Sequence, residues 1–291
     1  MSNEFKAHVM VLLATFLVAG SFILSKKLAG IVHPISLTLL RFTIATFVLA
    51  PFVLFYAKKR ALIFSTFPRA MLISFFYVLY FLLFFKALEY TDALSTGTLY
   101  TLVPLVTATL CIFFFRDRIP LKQLFIYICG IVGTLIVVFK GDIQLLLCFS
   151  LGQGEFIFLG AVVSMALYSI FMKIVHKKED DMSVLVLMTL LSGTFWLLGA
   201  KVLWSIPLEW QNLSIKDLGY LLYLSVIATF ITAYLYQRGT VLIGPKKVMA
   251  YIYLSPASIA LLLYFFEGAT LSAEVCVGIA ISTIATFLLL K

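Results

Sequence analysis

A single arginine, Arg41, stands in a stretch that otherwise runs without charge from residue 34 to residue 57. A guanidinium in apolar surroundings must find acceptors, and its rigid fork of five donors matches a carboxylate through two parallel hydrogen bonds. The chemistry this allows is recognition of an anion, without bond making. A structural role competes with it: Arg41 bonding backbone carbonyls, or reaching along the helix to the membrane surface. Tyrosines recur in the other apolar stretches, at Tyr77, Tyr80, Tyr100, Tyr168, Tyr234, Tyr251 and Tyr253. Each joins an apolar ring to one directional polar atom, which suits an amphipathic solute bound weakly enough to leave, and equally suits contact with lipid. Ser21 belongs to a stripe of mostly small residues, Ala14, Val18, Ser21 and Ser25, at helical spacing, which gives either close helix packing or room for a ligand. The candidate substrate-binding set is therefore Ser21, Arg41, Tyr77, Tyr100, Tyr168, Tyr234 and Tyr253.

Signs of catalysis are missing from the sequence. Neither HExxH nor GxSxG occurs, and His8, His33 and His176 lie near the ends of apolar stretches, so a positioned base, nucleophile or metal is not expected. Cys111, Cys129, Cys148 and Cys276 are scattered without a CxxC or a histidine partner. They read as small core residues, with no metal, cofactor or disulfide implied. A channel would be expected to show a charge ring or a carbonyl filter, and neither stands out. A non-transporting scaffold or assembly factor stays open.

The elements that position these residues follow from composition. Of 291 residues, 63% are hydrophobic and 12% charged, too little polar surface to cover a soluble globule. A helix needs roughly 20 apolar residues to cross the bilayer core. Ten such spans can be marked, at about 6–25, 34–57, 68–88, 92–115, 121–139, 152–174, 183–204, 216–236, 244–266 and 271–290. The expected fold is all-α and integral to the membrane. The N-terminal segment leads into the first span without a cleavage-site pattern and reads as retained. The net charge of +9 is a topology signal. With the N-terminus inside, fifteen lysines and arginines fall on the cytoplasmic side and six on the other, Arg41 lying within a span. That bias places both termini in the cytoplasm, with anionic headgroups rather than nucleic acid as partners. Trp204 and Trp210 suit an outer aromatic belt, and Ser214 with Asp217 is spaced as an N-cap pair. Acids sit near span ends, Glu155 where it favours a helix N-terminus, so no proton-relay carboxylate is visible deep in a span.

Pro104 and Pro256 stand sixth in the twelve-residue stretches 99–110 and 251–262. Each removes a backbone donor, freeing the carbonyl of Tyr100 or of Ile252, which hydrocarbon tolerates only against protein or water. The expectation is a kink in each helix, with hydroxyls such as Thr101, Thr107, Tyr253, Ser255 and Ser258 as replacement partners. The matched prolines prompt a repeat: residues 13–145 laid over 159–290 pair Lys26 with Lys173, Ser36 with Ser183, Arg41 with Met188 and Pro104 with Pro256. Asp117 and Glu267 then close the fourth helix of each half, the second by a segment two residues shorter. With five spans each, repeats 1–147 and 148–291 enter the membrane in opposite orientation. Inverted repeats build a carrier with alternating access and a site near the midplane between halves.

At SKKLAG-IVHPISLTLLRF, ALEYTDA (residues 87–93) leading to Pro104, and RGTVLIGPKKVMAYIYLSP, the chain resembles the drug/metabolite transporter superfamily, in its ten-helix group built from two EamA domains. The resemblance implies a bacterial inner-membrane carrier of a small metabolite, with amino-acid or related export as the first reading, and it supports an arginine in the second helix. A narrower likeness, carried by SKKLAG, His33, Arg41-Phe42 and VLAPFV with Tyr56 and Lys58, is to the S-adenosylmethionine uptake or exchange carriers of that family.

Overall fold

The computed structural model describes residues 3–28, 30–91, 93–142, 144, 147, 152–268 and 272–290. Asp92, Cys148 and Lys291 lie outside the described residues, as do the side chains of Lys26 and Glu267 and the break between residues 147 and 148 on its second side.

Among the described residues, ten helices are long and apolar enough to cross a membrane. We number them α1 (Asn3–Leu28), α2 (Pro34–Leu54), α3 (Ile63–Ala87), α4 (Ala93–Tyr100 and Val103–Phe115), α5 (Leu121–Val138), α6 (Gln153–Val175), α7 (Met182–Leu203), α8 (Ile215–Leu222, Tyr223–Ile231 and Thr232–Ile243), α9 (Pro245–Ala250, Tyr251–Leu254 and Ser255–Glu267) and α10 (Ala273–Leu290). Local chemistry sets their starts. The His33 ring accepts from the Ile35 N–H ahead of α2, whose first residue is Pro34. Asp181 accepts from the Ser183 and Val184 N–H groups of α7. Ser214 and Asp217 cap α8 reciprocally, and Glu155 accepts from the Gly152 N–H at the start of α6.

Two spans differ from the marked boundaries by five residues or more, for physical reasons. Pro68 is accommodated inside α3, which therefore begins five residues earlier, at Ile63. No breaker interrupts α8 until Gly244 takes φ +84° before Pro245, so α8 runs to Ile243. At Pro104 and Pro256 the regular α-winding of the span is interrupted. Each occupies the first turn of a new 13-residue piece, where a missing N–H costs nothing. The chain tightens before it: Thr101 and Leu102 donate three residues back, to Thr98 and Leu99, and Tyr251–Leu254 is a 3₁₀ turn. Thr101 does bond a nearby carbonyl, that of Thr98. Thr107 does not, since its buried hydroxyl has no partner among the described residues. Both pieces end alike, on left-handed Arg116 (φ 55°) and Gly268 (φ 65°), each with its N–H on the carbonyl five residues back. The two helix ends therefore match, and Arg116 corresponds to Gly268.

The halves interleave. α3 packs on α6 as α8 packs on α1, α2 faces α7, and α5 faces α10. Ser36 of α2 bonds the Leu208 carbonyl after α7, while Ser183 of α7 meets Lys59 after α2, the reciprocal contacts expected of inverted repeats. At the α5–α10 crossing the backbones nearly touch. A Cβ on Gly278 would lie 2.7 Å from the Gly133 carbonyl oxygen, and one on Gly133 2.7 Å from the Ser282 nitrogen. On the face that carries Asn3, ion pairs join the halves: Arg69–Asp180 (2.6 Å, with a second bond of 2.8 Å), Lys246–Asp117 (2.7 Å), Lys247–Glu4 (3.3 Å) and Lys59–Asp181 (3.8 Å). Burial alone would raise the Asp180 carboxyl. Hydrogen bonds from Arg69 and the Lys177 N–H, with the charges of Arg69 and His176, outweigh it and hold that carboxyl below the ordinary carboxylate value.

Two outcomes follow for the detergent-purified protein. Gly278→Val is expected to force α5 and α10 apart, costing about 1–3 kcal/mol by overpacking, read as a lower thermal midpoint. Because the Asp180 carboxyl is depressed in the folded state, its contribution is complete above the ordinary carboxylate value near pH 4 and is lost as pH falls through the depressed one. Asp180→Asn is expected to cost about 2 kcal/mol at neutral pH, between exposed and fully buried pairs. It should also flatten that acid limb in a pH series of thermal midpoints, and an unchanged limb would remove Asp180 as its source.

Candidate functional site

A cavity of about 40 Å³ lies between the halves, walled by α1, α2, α3 and α4 from the first and by α6 and α8 from the second. Half of its lining residues are aromatic, and among the described residues Arg41 is the one cation that lines it and no acid does. The lining keeps the repeat's register. Val18 and Met165, like Ser21 and Tyr168, are separated by the same 147 positions as Arg41 and Met188 (188 − 41). Tyr80 and Thr232, Phe81 and Ala233, and Phe84 and Tyr236 are separated by 152, as are Pro104 and Pro256 (256 − 104). The cavity thus sits where equivalent faces of the two repeats meet.

Arg41 is 3% exposed, and an irregular part of α8 holds it. Tyr223–Ile231 is a π-helix, a rare, wider winding that recurs at functional sites. Arg41 Nε donates to the Thr229 hydroxyl (2.5 Å) and to the Leu224 carbonyl (3.2 Å), and Nη2 donates to the Ala228 carbonyl (3.3 Å). Its guanidinium carbon lies 4.7 Å from the centre of the Phe81 ring. All these partners are neutral. They take the Nε–Nη2 edge of the fork, and among the described residues the Nη1 edge has no protein acceptor. The π-helix is anchored to α1 as well, since the Tyr223 hydroxyl donates to the Leu17 carbonyl beside Gly20, where any Cβ would lie 2.5 Å from that hydroxyl.

Of the residues singled out in the sequence, Ser21, Arg41, Tyr77, Tyr100 and Tyr168 line this cavity. Tyr77 stacks on Tyr168 with ring centres 4.5 Å apart, joining α3 to α6. Tyr234 and Tyr253 are placed elsewhere. The Tyr234 hydroxyl accepts from Arg238 on the outer side of α8. Tyr253 is fully buried in a separate cluster with Tyr127, over Gly130 of α5, and donates to the Tyr127 carbonyl. Neither proline lines the cavity. Missed residues are Tyr236, Thr232, Phe22, Phe81 and Phe84 in the wall, with Thr229 and Gln237 behind it. The signal for the α8 members was present as Ser225, Thr229, Thr232 and Tyr236, hydroxyls every three or four residues in an apolar helix.

Hydrogen-bond directions show what the wall can offer. Ser21 donates to the Val18 carbonyl and Thr232 to the Ala228 carbonyl. Thr15 gives its proton to the Val11 carbonyl, so Tyr236 must donate to Thr15. Thr189 likewise donates to the Leu185 carbonyl, so the buried Gln237 amide nitrogen is the donor to both Thr189 and Tyr168. The Gln237 amide oxygen, also buried, has no partner among the described residues. Ser21, Thr232 and Tyr236 thus commit their protons to the protein and can offer only lone pairs, while the open edge of Arg41 supplies donors and positive charge, with no acid in the lining among the described residues.

A model of the EamA-like transporter family matches residues 5–139 and again residues 152–291. The chain is 24% identical over 196 residues to YyaM, an uncharacterized transporter of Bacillus subtilis strain 168, a match spanning 67% of this chain and 64% of that protein, just under two thirds of its length. A crystal structure of a protein with 17% identity shares the fold, covering 98% of this chain and 97% of its own at a TM-score of 0.79. Two matched copies of the family domain, ten membrane-length helices among the described residues and a cavity between the copies lead to one conclusion: the chain belongs to the EamA-like transporter family and has the helices of a multi-pass membrane protein.

Proposed function

We propose that this transporter carries a small organic solute with a carboxylate and an apolar or aromatic body, an amino acid or related metabolite, by alternating access. The observation that carries the reading is the open edge of Arg41 in an acid-free cavity. A buried cation with only neutral partners is completed by an anion, and the guanidinium edge matches a carboxylate. The rings around it, Phe22, Tyr77, Phe81 and Tyr100 among them, favour an apolar body. At about 40 Å³ the cavity has room for a few waters and not for an amino acid. The conformation described is therefore contracted, and entry of solute requires the wall to move, as alternating access demands. The charge bias supports an inner-membrane protein with both termini in the cytoplasm. Export is the first reading. S-adenosylmethionine uptake or exchange is the second, favoured by the same pairing of a carboxylate site with stacked rings.

The test uses thermal stabilisation of the purified protein by phenylacetate and tryptophan, each against its carboxamide. The carboxylates are expected to bind at least ten-fold more tightly, the equivalent of about 1.4 kcal/mol for a charge-assisted pair. Arg41→Gln should remove that preference while leaving amide binding within about two-fold. Equal stabilisation by acid and amide in the wild type would overturn the carboxylate reading.

A further inference from the structure

We infer that Thr229, presented by the π-helical turn of α8, is a positioning residue that aims Arg41 at the transported anion; the inference rests on the carboxylate reading above. A guanidinium can offer its Nε–Nη2 edge or its Nη1–Nη2 edge to a ligand, and the two lie in different directions on one rigid plane. Here α8 engages the first edge completely. Thr229 accepts from Nε at 2.5 Å, while the Leu224 and Ala228 carbonyls take the remaining contacts at 3.2 and 3.3 Å.

The hydroxyl contact is the shortest of the three, and Thr229 Oγ1 is fixed in turn. It donates its own proton to the Leu224 carbonyl five residues back, at 2.8 Å. Its lone pairs therefore face Arg41, and it acts there only as an acceptor. The five-residue reach of that bond is the spacing of the π-helix itself. In a regular α-helix the carbonyl four residues back would be the natural partner of a threonine hydroxyl, as it is for Ser225 and Thr232 on either side. The π-turn thus sets both the place of the Thr229 oxygen and the direction of its lone pairs. Thr229 is buried and does not line the cavity, so its effect on a solute passes through Arg41. With one edge of the fork held by α8 and the guanidinium plane set over Phe81, the other edge is left to a carboxylate in the cavity.

The deciding experiment measures, by thermal stabilisation, the ratio of phenylacetate to phenylacetamide affinity in the full-length wild type, Thr229→Val and Thr229→Ser. Valine keeps the shape and removes the acceptor, and serine restores it. The expected result is a wild-type preference for the acid of at least ten-fold, a fall to within two-fold in Thr229→Val with amide affinity kept, and recovery in Thr229→Ser. A Thr229→Val protein that keeps the wild-type ratio overturns the positioning role and leaves the carboxylate reading standing. So does one that loses acid and amide affinity in equal measure, which marks a merely structural residue. If the wild type has no preference, the carboxylate reading falls and this inference with it. Should Thr229→Val give no cooperative unfolding transition, Thr229→Cys, which keeps a small side chain with a poor acceptor, is read by the same ratio.

Discussion

The arrangement depends on keeping one positive charge inside the membrane. Moving a guanidinium out of water costs several kcal/mol unless acceptors replace its hydration. Arg41 gains them from α8, across the interface between the two halves. Two α8 carbonyls, those of Leu224 and Ala228, take bonds both from Arg41 and from threonine hydroxyls of the same helix. The guanidinium and the irregular helix therefore stabilise one another. The π-winding gives Arg41 its acceptors, and Arg41 ties the π-winding to α2.

That mutual support explains why the cavity is symmetric in frame and asymmetric in content. Equivalent positions of the repeats line it, yet the equivalent of Arg41 is Met188, a buried apolar residue. Tyr80, Phe81 and Phe84 stand opposite Thr232, Ala233 and Tyr236. The first half supplies the cation and most of the rings, and the second supplies the oxygens that hold the cation. On the reading proposed above, such a lining would orient a solute with distinct polar and apolar ends, which a symmetric one would not.

Sequence revealed the ten spans because length and apolar content alone decide whether a helix can cross a bilayer. Arg41, Tyr77, Tyr100 and Tyr168, which line the cavity, stood out because polar groups in such spans contrast with their background. Sequence did not reveal which way a tyrosine faces where winding departs from the α-helix. Tyr234 follows the π-segment of α8, and Tyr253 lies within the 3₁₀ turn of α9. A changed rotation per residue moves a side chain to another face, and α-helical periodicity carries no trace of it. Nor did it reveal that each proline begins a helix piece: the residues before Pro104 and Pro256 have no breaker of their own, and the interruption comes from backbone hydrogen bonds tightening ahead of the ring. The matched ends at Arg116 and Gly268 were hidden because conformations agree there while residue types do not.

The two faces of the molecule are held by different chemistry, and this bears on how such a cavity opens. Where Asn3 lies, the halves are joined by Arg69–Asp180, Lys246–Asp117, Lys247–Glu4 and Lys59–Asp181. At the opposite face Ser36 bonds the Leu208 carbonyl, Trp210 bonds the Ser36 carbonyl and Thr91 bonds Glu155. Ser36–Leu208 on this face has its counterpart in Ser183–Lys59 on the other, but the ion pairs of the Asn3 face have none among these contacts, so the two faces are held with different strength. Water-exposed ion pairs contribute about 0–1 kcal/mol each, and only Arg69–Asp180 is mostly buried, its carboxylate side chain 5% exposed. Together these pairs therefore contribute a few kcal/mol, a scale that the differential affinity of a bound ligand can offset. On the alternating-access reading proposed above, this is the scale required: enough to favour one opening when empty, and too little to prevent the other.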